Sequence, residues 1–339
     1  GATVMKGYYK KPEETAQVFT EDGWFRTGDA GRLTDNGALV LTERIKDLFK
    51  TSNGKYIAPQ AIETKLGEDK YIDQVAVIGD QRKYVTAIII PAYNEEKNIV
   101  PLLEKLEQPE ITQFADVLVM NDASQDKTNL VTKKRNHTVI THVFNLGYGS
   151  GLQLGYKYAV RKGYRYVIQM DADGQHDICN IPKLYERLKT ADADGRYPDI
   201  VLGSRFMKES AVYPVSLVRK VAYAWFRQMI RAFTGRKIAD PTTGLQGLSR
   251  KAVLYYSKYK HFDDRYPDAN MIIQMILLGF RIDEIPAVMH TRIEGKSMHA
   301  GLKPIVYMFR MTFSILAVVF RVKVLKIDAG AGEMDEKTC

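Results

Sequence analysis

The chain has 339 residues, 45% hydrophobic and 26% charged, a globular composition that excludes collagen-like, coiled-coil and disordered chains. Its two cysteines, Cys179 and Cys339, cannot build a disulfide framework and lack zinc-type spacing. The formal charge is +9, and residues 1–85 hold 13 basic and 13 acidic groups. The whole excess therefore falls in 86–339 and points to an anionic partner: phosphate, nucleic acid or acidic lipid. No charged-then-apolar leader pattern opens the sequence.

In chain order, residues 19–57 are dense in turn signals, including Asp22-Gly23, Gly28-Asp29, Asn36-Gly37 and Asn53-Gly54. They separate short apolar runs such as Ala38-Leu39-Val40-Leu41, which predicts hairpins and small strands. Pro59 opens a predicted helix over 59–66, and Gln74 to Ile78 reads as a strand.

From residue 85 the texture changes. Val85-Thr86-Ala87-Ile88-Ile89-Ile90 has the continuous apolar character of a strand buried on both faces. Strands are predicted at 116–120, 138–143, 165–170 and 198–202, with helices near 95–107, 125–135, 149–162 and 181–190. That alternation predicts an α/β domain with a mostly parallel sheet and helices on both faces, preceded by a small α+β segment. A helix-like stretch, 219–233, spaces Arg219, Arg227 and Arg231 among apolar residues. Residues 311–320 are apolar between Arg310 and Arg321, too short for the roughly 20 residues of a spanning helix. The segment 304–326 thus reads either as a core-packed helix or as an amphipathic helix on a membrane surface. Residues 327–339 are expected to be a disordered tail.

Ligands of open α/β sheets sit beyond the carboxyl ends of the strands. Three polar clusters fall there: Pro91-Ala92-Tyr93-Asn94-Glu95-Glu96, Asn121-Asp122-Ala123-Ser124-Gln125-Asp126 and Asp171-Ala172-Asp173-Gly174-Gln175-His176. In order and spacing these closely resemble the motifs of glycosyltransferase family 2, inverting enzymes of the GT-A fold. Gly203-Ser204-Arg205, Asp240-Pro241-Thr242-Thr243-Gly244, Arg292 and Gly295-Lys296-Ser297 resemble its dolichol-phosphate-mannose-synthase-like branch. The resemblance covers about 86–326, with a catalytic domain expected at 86–303.

The resemblance implies Mg2+ or Mn2+, with Asp173 as its most direct ligand and Asp171 and Gln175 beside it. Oxygen ligands suit either hard cation, which neutralises charge on a departing nucleoside diphosphate. It also implies that Asp122 contacts the nucleoside and that Pro91, Tyr93 and Glu95 shape the pocket for base and ribose, while Asp171 faces the ribose or the metal's waters. Arg205, Arg219 and Lys296 would border the diphosphate and acceptor, where arginine binds phosphate oxygens bidentately. An acceptor hydroxyl needs a general base, for which Asp268 and Asp240 are candidates. A polyprenyl phosphate, already anionic, needs only positioning and screening.

The expected function is transfer of a sugar from a nucleotide-diphosphate sugar to a membrane-associated acceptor, foremost a polyprenyl phosphate. Transfer to a glycan hydroxyl in surface-polysaccharide synthesis and an inactive chimera are the alternatives. The expected setting is the inner face of the cell membrane, with a separate membrane protein as a further partner. No nucleic-acid reader motif accompanies the basic charge.

Residues 7–63 resemble the start of the C-terminal domain of adenylate-forming enzymes, near the long-chain acyl-CoA synthetases. The match runs through Gly23-Trp24-Phe25-Arg26-Thr27-Gly28-Asp29, Glu43-Arg44-Ile45-Lys46-Asp47 and Gly54-Lys55-Tyr56-Ile57-Ala58-Pro59. In that family the positions of Asp29 and Arg44 serve the ATP ribose. Without a Ser/Thr/Gly-rich phosphate loop, these two would form only half a site, and no activity is expected of 1–85. Both families use a strand like 84–91, and residues 86–90 are expected to join the transferase sheet.

Overall fold

The computed structural model describes residues 5–34, 36–44, 49–50, 56–57, 86–135, 137–210, 215–290 and 303–333. The chain divides into two compact units, Gly1–Lys83 and Tyr84–Cys339.

In the first unit, Pro12 at the first turn and Glu13 and Glu14 beside it start the short helix α1 (Pro12–Val18). Phe19 and Phe25 bridge across the Asp22-Gly23 turn. The expected hairpin forms from β1 (Asp29–Leu33) and β2 (Leu39–Arg44), antiparallel, with an irregularity between Ala30 and Gly31. A second pair, β3 (Phe49–Lys50) and β4 (Tyr56–Ile57), is only two residues long. The helix expected at 59–66 and the strand at 74–78 lie outside the described residues.

The second unit is built on a seven-stranded sheet. It comprises β5 (Thr86–Ala92), β6 (Ala115–Asn121), β7 (Thr138–Thr141), β8 (Tyr166–Gln169), β9 (Ile200–Ser204), β10 (Gln246–Ser249) and β11 (Ile282–Pro286). The order is β11-β9-β10-β8-β5-β6-β7. All pairs are parallel except those of β10, which runs antiparallel to both β8 and β9. Residues 86–90 pair with 115–119 on one side, and 86–89 with 166–169 on the other, so this strand joins the seven-stranded sheet, as expected.

Every residue of β5 is buried, and the period of two sorts them. Ala87 and Ile89 join Leu118 and Met120 beneath α5 (Tyr148–Arg161), α7 (Leu217–Thr234), α8 (Arg250–Ser257), α9 (Ala269–Leu277) and α10 (Lys303–Val319). Ile88 and Ile90 join Val117 and Val119 beneath α2 (Ile99–Leu106), α3 (Pro109–Thr112) and α6 (Asn180–Lys189). The remaining helix, α4 (Thr128–Lys134), follows β6.

α10 continues into a π-helical turn, Phe320–Val324. Met311, Ile315 and Val322 are buried in the core, as the core-packed reading expects, whereas Phe309, Phe313 and Phe320 are exposed. Within the tail expected to be disordered, Asp328 and Gly332 make contacts with the domain. Asp328 accepts the Tyr255 hydroxyl (3.2 Å), Lys251 reaches the Gly332 carbonyl, and the Gly332 amide donates to the Leu278 carbonyl (2.8 Å). Among the described residues no helix is long and apolar enough to cross a membrane.

Candidate active site

Because β5, β6, β8 and β9 run parallel, the loops that leave them lie along one edge of the sheet. The first two are stitched together. Asn94, in the left-handed region (φ 54°), donates its amide to Ser124 Oγ (3.0 Å) and accepts from the Gln125 amide (2.9 Å). Glu96 and Asp126 reciprocate: the Glu96 amide donates to Asp126 and the Lys127 amide to Glu96. These loops and the DADGQH turn line one cavity of about 850 Å³.

Of the residues expected at the site, Pro91, Tyr93, Glu95, Asp122, Asp171, Asp173, Gln175, Arg205, Arg219 and Asp268 all line that cavity. Lys296 lies outside the described residues. Asp240 is a correction. It is fully buried and does not line the cavity, and its carboxylate accepts from Arg205 Nε and Nη2, each at 2.7 Å. Its backbone amide and that of Ala239 donate to Glu284. A carboxylate locked in a bidentate pair is not placed to take a proton from an acceptor. Arg205 is correspondingly committed to Asp240 and Thr242, and it stacks against Phe206 and Tyr223. It therefore holds the cavity wall as well as lining it.

Asp171 is held from several elements. Tyr148, at the start of α5, donates its hydroxyl to Asp171 Oδ1 (2.8 Å). His176 Nδ1 accepts the Asp171 amide (3.1 Å), while Nε2 lies 3.7 Å from Asp171 Oδ2. The Nδ1 acceptor fixes the Nε2–H tautomer, and burial holds the imidazole down at about 4, so it is neutral at physiological pH. Gly244 completes the cradle: a Cβ there would lie 2.5 Å from Asp171 Oδ2. Gly149 permits another close approach, since its Cβ would meet the Asp263 carbonyl at 2.0 Å.

Asp173 Oδ1 accepts the Gln175 amide (3.1 Å), which closes the turn. Two carboxylates and an amide oxygen in one cavity are a hard-oxygen donor set. No group of three His, Cys, Asp or Glu that could hold a metal unaided occurs among the described residues. This set fits a cation that takes its remaining ligands from substrate phosphates and water, the usual arrangement for Mg2+.

Asp122 serves its own loop as well as the cavity. Its carboxylate accepts the Leu146 and Gly147 amides (2.9 and 2.8 Å) and meets His142 Nδ1 (2.7 Å). Across the cavity, Asp268 accepts the Tyr307 hydroxyl from α10. Burial raises its carboxyl to about 6, Tyr307 opposes the shift, and the charge of Asp171 adds to it. Tyr148, His142 and Tyr307 were not singled out in the sequence. His176 and Gly244 sit inside quoted motifs, but their role depends on distances that sequence does not show.

Residues 87–255 match the family model of glycosyl transferase family 2. This segment is a family 2 glycosyltransferase domain. Its fold resembles glucosyl-3-phosphoglycerate synthase from Mycobacterium tuberculosis. The structure of that enzyme with Mn2+, uridine diphosphate and glucosyl-3-phosphoglycerate gives a TM-score of 0.51 at 17% identity, over 69% of this chain and 78% of that one. Its uridine-diphosphate complex gives 0.53 at 15% identity, over 80% and 88%.

The chain is also similar to curated long-chain acyl-CoA ligases. Fatty acyl-CoA synthetase A of Dictyostelium discoideum is 39% identical over 94 residues, and long-chain-fatty-acid–CoA ligase 4 of Saccharomyces cerevisiae is 42% identical over 92. Each alignment covers 27% of this chain but only 14% and 13% of the relative, so the chain spans a small fraction of these ligases.

Proposed function

We propose that the family 2 domain transfers a sugar, with inversion, from a nucleoside diphosphate sugar to a lipid-borne phosphate of the polyprenyl-phosphate class. The observation that carries the donor half is the single cavity shared by the loops of Tyr93, Asp122 and Asp171–Gln175. Tyr93 is half-exposed at its rim and offers a ring for base stacking. Asp173, Asp171 and Gln175 would hold the cation, which when bound supplies Lewis-acid stabilisation of the leaving diphosphate. The protein's own part is orientation. Tyr148, His176 and Gly244 fix Asp171, the Arg205–Asp240 pair fixes the far wall, and Asp122 fixes the loop 142–147.

The acceptor half is read from the wall opposite. Arg219 and Arg265 line the cavity among Val218, Ala222, Phe226 and Tyr307, a mixture of cation and apolar surface suited to a phosphate on a hydrocarbon tail. A phosphate oxygen is already an anionic nucleophile and needs no base. A second reading, transfer to a sugar hydroxyl, is favoured by Asp268: a carboxyl near 6 inside the cavity is well matched to general-base work near neutral pH.

A thermal-shift series with uridine, guanosine and other nucleoside diphosphates, each with Mn2+, tests the donor half. One base is expected to raise the melting temperature by mass action, and no shift with any of them would refute it. Product analysis with a polyprenyl phosphate and with a free glycan then separates the acceptors. Transfer only to the glycan, lost in Asp268→Asn, would replace the first reading with the second.

A further inference from the structure

We infer that the joined outer faces of α7 and α10 dock on an anionic lipid bilayer. On α10 and its π-helical turn, Val306, Phe309, Phe313, Leu316 and Phe320 are exposed, Phe313 to 69%. Their spacing of three and four residues places them on one stripe. On α7, Leu217, Val221 and Trp225 are exposed, Leu217 to 78%. Trp225 Nε1 donates to Thr312 Oγ1 at 3.0 Å. By helical phase both residues sit at the border of their own exposed stripe, so the two stripes meet along that bond. The opposite sides are firmly packed, through Phe226, Met229 and Ile230 on α7 and Met311 and Ile315 on α10. The surface is thus an apolar face backed by packed core on both helices, the kind of contiguous patch that marks an interaction site.

Charge selects the occupant. Residues 215–239 and 303–327 hold no Asp or Glu; Arg227 and Arg321 are turned inward to Ala239 and Gln274, while Lys220, Arg231, Arg310 and Lys326 are exposed. Two such faces from two copies of this chain would repel each other. A surface of acidic headgroups over an apolar interior answers both the cations and the aromatic rings. Val218 is more than half exposed and also lines the cavity, so the cavity wall continues onto this face. Docking stands without the proposed reaction; delivery of a lipid acceptor from the bilayer rests on it.

The test is co-sedimentation of the full chain with vesicles of phosphatidylcholine alone, or with about one-third phosphatidylglycerol. Binding to the anionic vesicles is expected to exceed binding to the neutral ones by about tenfold or more and to weaken in high salt. The double variant Phe309→Asp/Phe313→Asp is expected to lose it while keeping its melting temperature and nucleotide-induced shift. Lys220→Glu/Arg231→Glu, which leaves the apolar stripe intact, is expected to lose the preference for anionic lipid. Three results would overturn the inference: no vesicle binding, equal binding to both lipids, or a solution dimer that the Phe309→Asp/Phe313→Asp variant dissociates. Loss of the nucleotide shift in wild type, with vesicle binding retained, would strike the donor reading and leave the docking intact.

Discussion

The two units carry family motifs of similar clarity, yet they bury their apolar residues very differently. In the first, Leu33, Leu39 and Leu41 share one face of the β1–β2 hairpin and are all exposed, Leu33 to 72%, as is Trp24. A lone hairpin cannot cover such a face. In the second, β5 is buried from end to end and splits its side chains between two cores. A site needs more than its signature residues. Asp29 lies on a small antiparallel pair with no second wall described, while Asp171 is gripped by residues from α5, its own turn and the loop before β10.

The sharpest way to break this contrast is a pair of alanine variants. Asp173→Ala is expected to lower transfer by about a thousandfold, the several kcal/mol that charge stabilisation of a leaving diphosphate supplies, with the fold retained by circular dichroism. Asp29→Ala should leave transfer unchanged. Comparable losses in both would mean that the units share a site.

Next in size is the buried pair. Asp240→Ala leaves Arg205 without its partner and is expected to cost about 3–5 kcal/mol in denaturant unfolding. Removal of Arg26, an exposed residue of the first unit, should cost well under 1 kcal/mol.

A smaller effect belongs to Asp268. Its folded carboxyl lies near 6, above the ordinary value, so the folded state holds the proton more tightly than the unfolded one. Its contribution to stability is complete below about 4 and is lost as pH rises through 6. Asp268→Asn is therefore expected to raise the melting temperature by a few degrees at pH 8 and by little at pH 4; equal shifts at both would refute the burial account. Smallest of all, a chain begun at Tyr84 should keep the melting transition of the second unit.

Much of the second unit was legible because its parallel strands are long, apolar and separated by amphipathic helices. Predicted and observed ends of β5, β6 and β8 differ by one or two residues. β10 and β11 lie outside the predicted strands: Gln246-Gly247-Leu248-Ser249 is short, polar at both ends and antiparallel, and Ile282-Asp283-Glu284-Ile285-Pro286 is short with two adjacent acidic residues, so neither carries a clear periodicity. At the site, residues within one turn were readable and partners far along the chain were not. Tyr307 reaches Asp268 across 39 positions, and no local pattern signals it. Asp240 misled because its motif is polar, and only burial shows that the charge is already matched. The ligase alignments are also instructive. About 92 residues, 27% of the chain, are more than precede residue 87 or follow residue 255, so the ligase alignments overlap the family 2 match.

Thr86 stands at the amino end of β5, and Asn94 just past its carboxyl end. Seven extended residues at roughly 3.3 Å each put about 20 Å of sheet between the point where the polypeptide enters and the catalytic loops. In a chain begun at Tyr84, a fused tag or immobilising anchor added at that end would therefore join the domain a full strand length away from the loops that line the cavity.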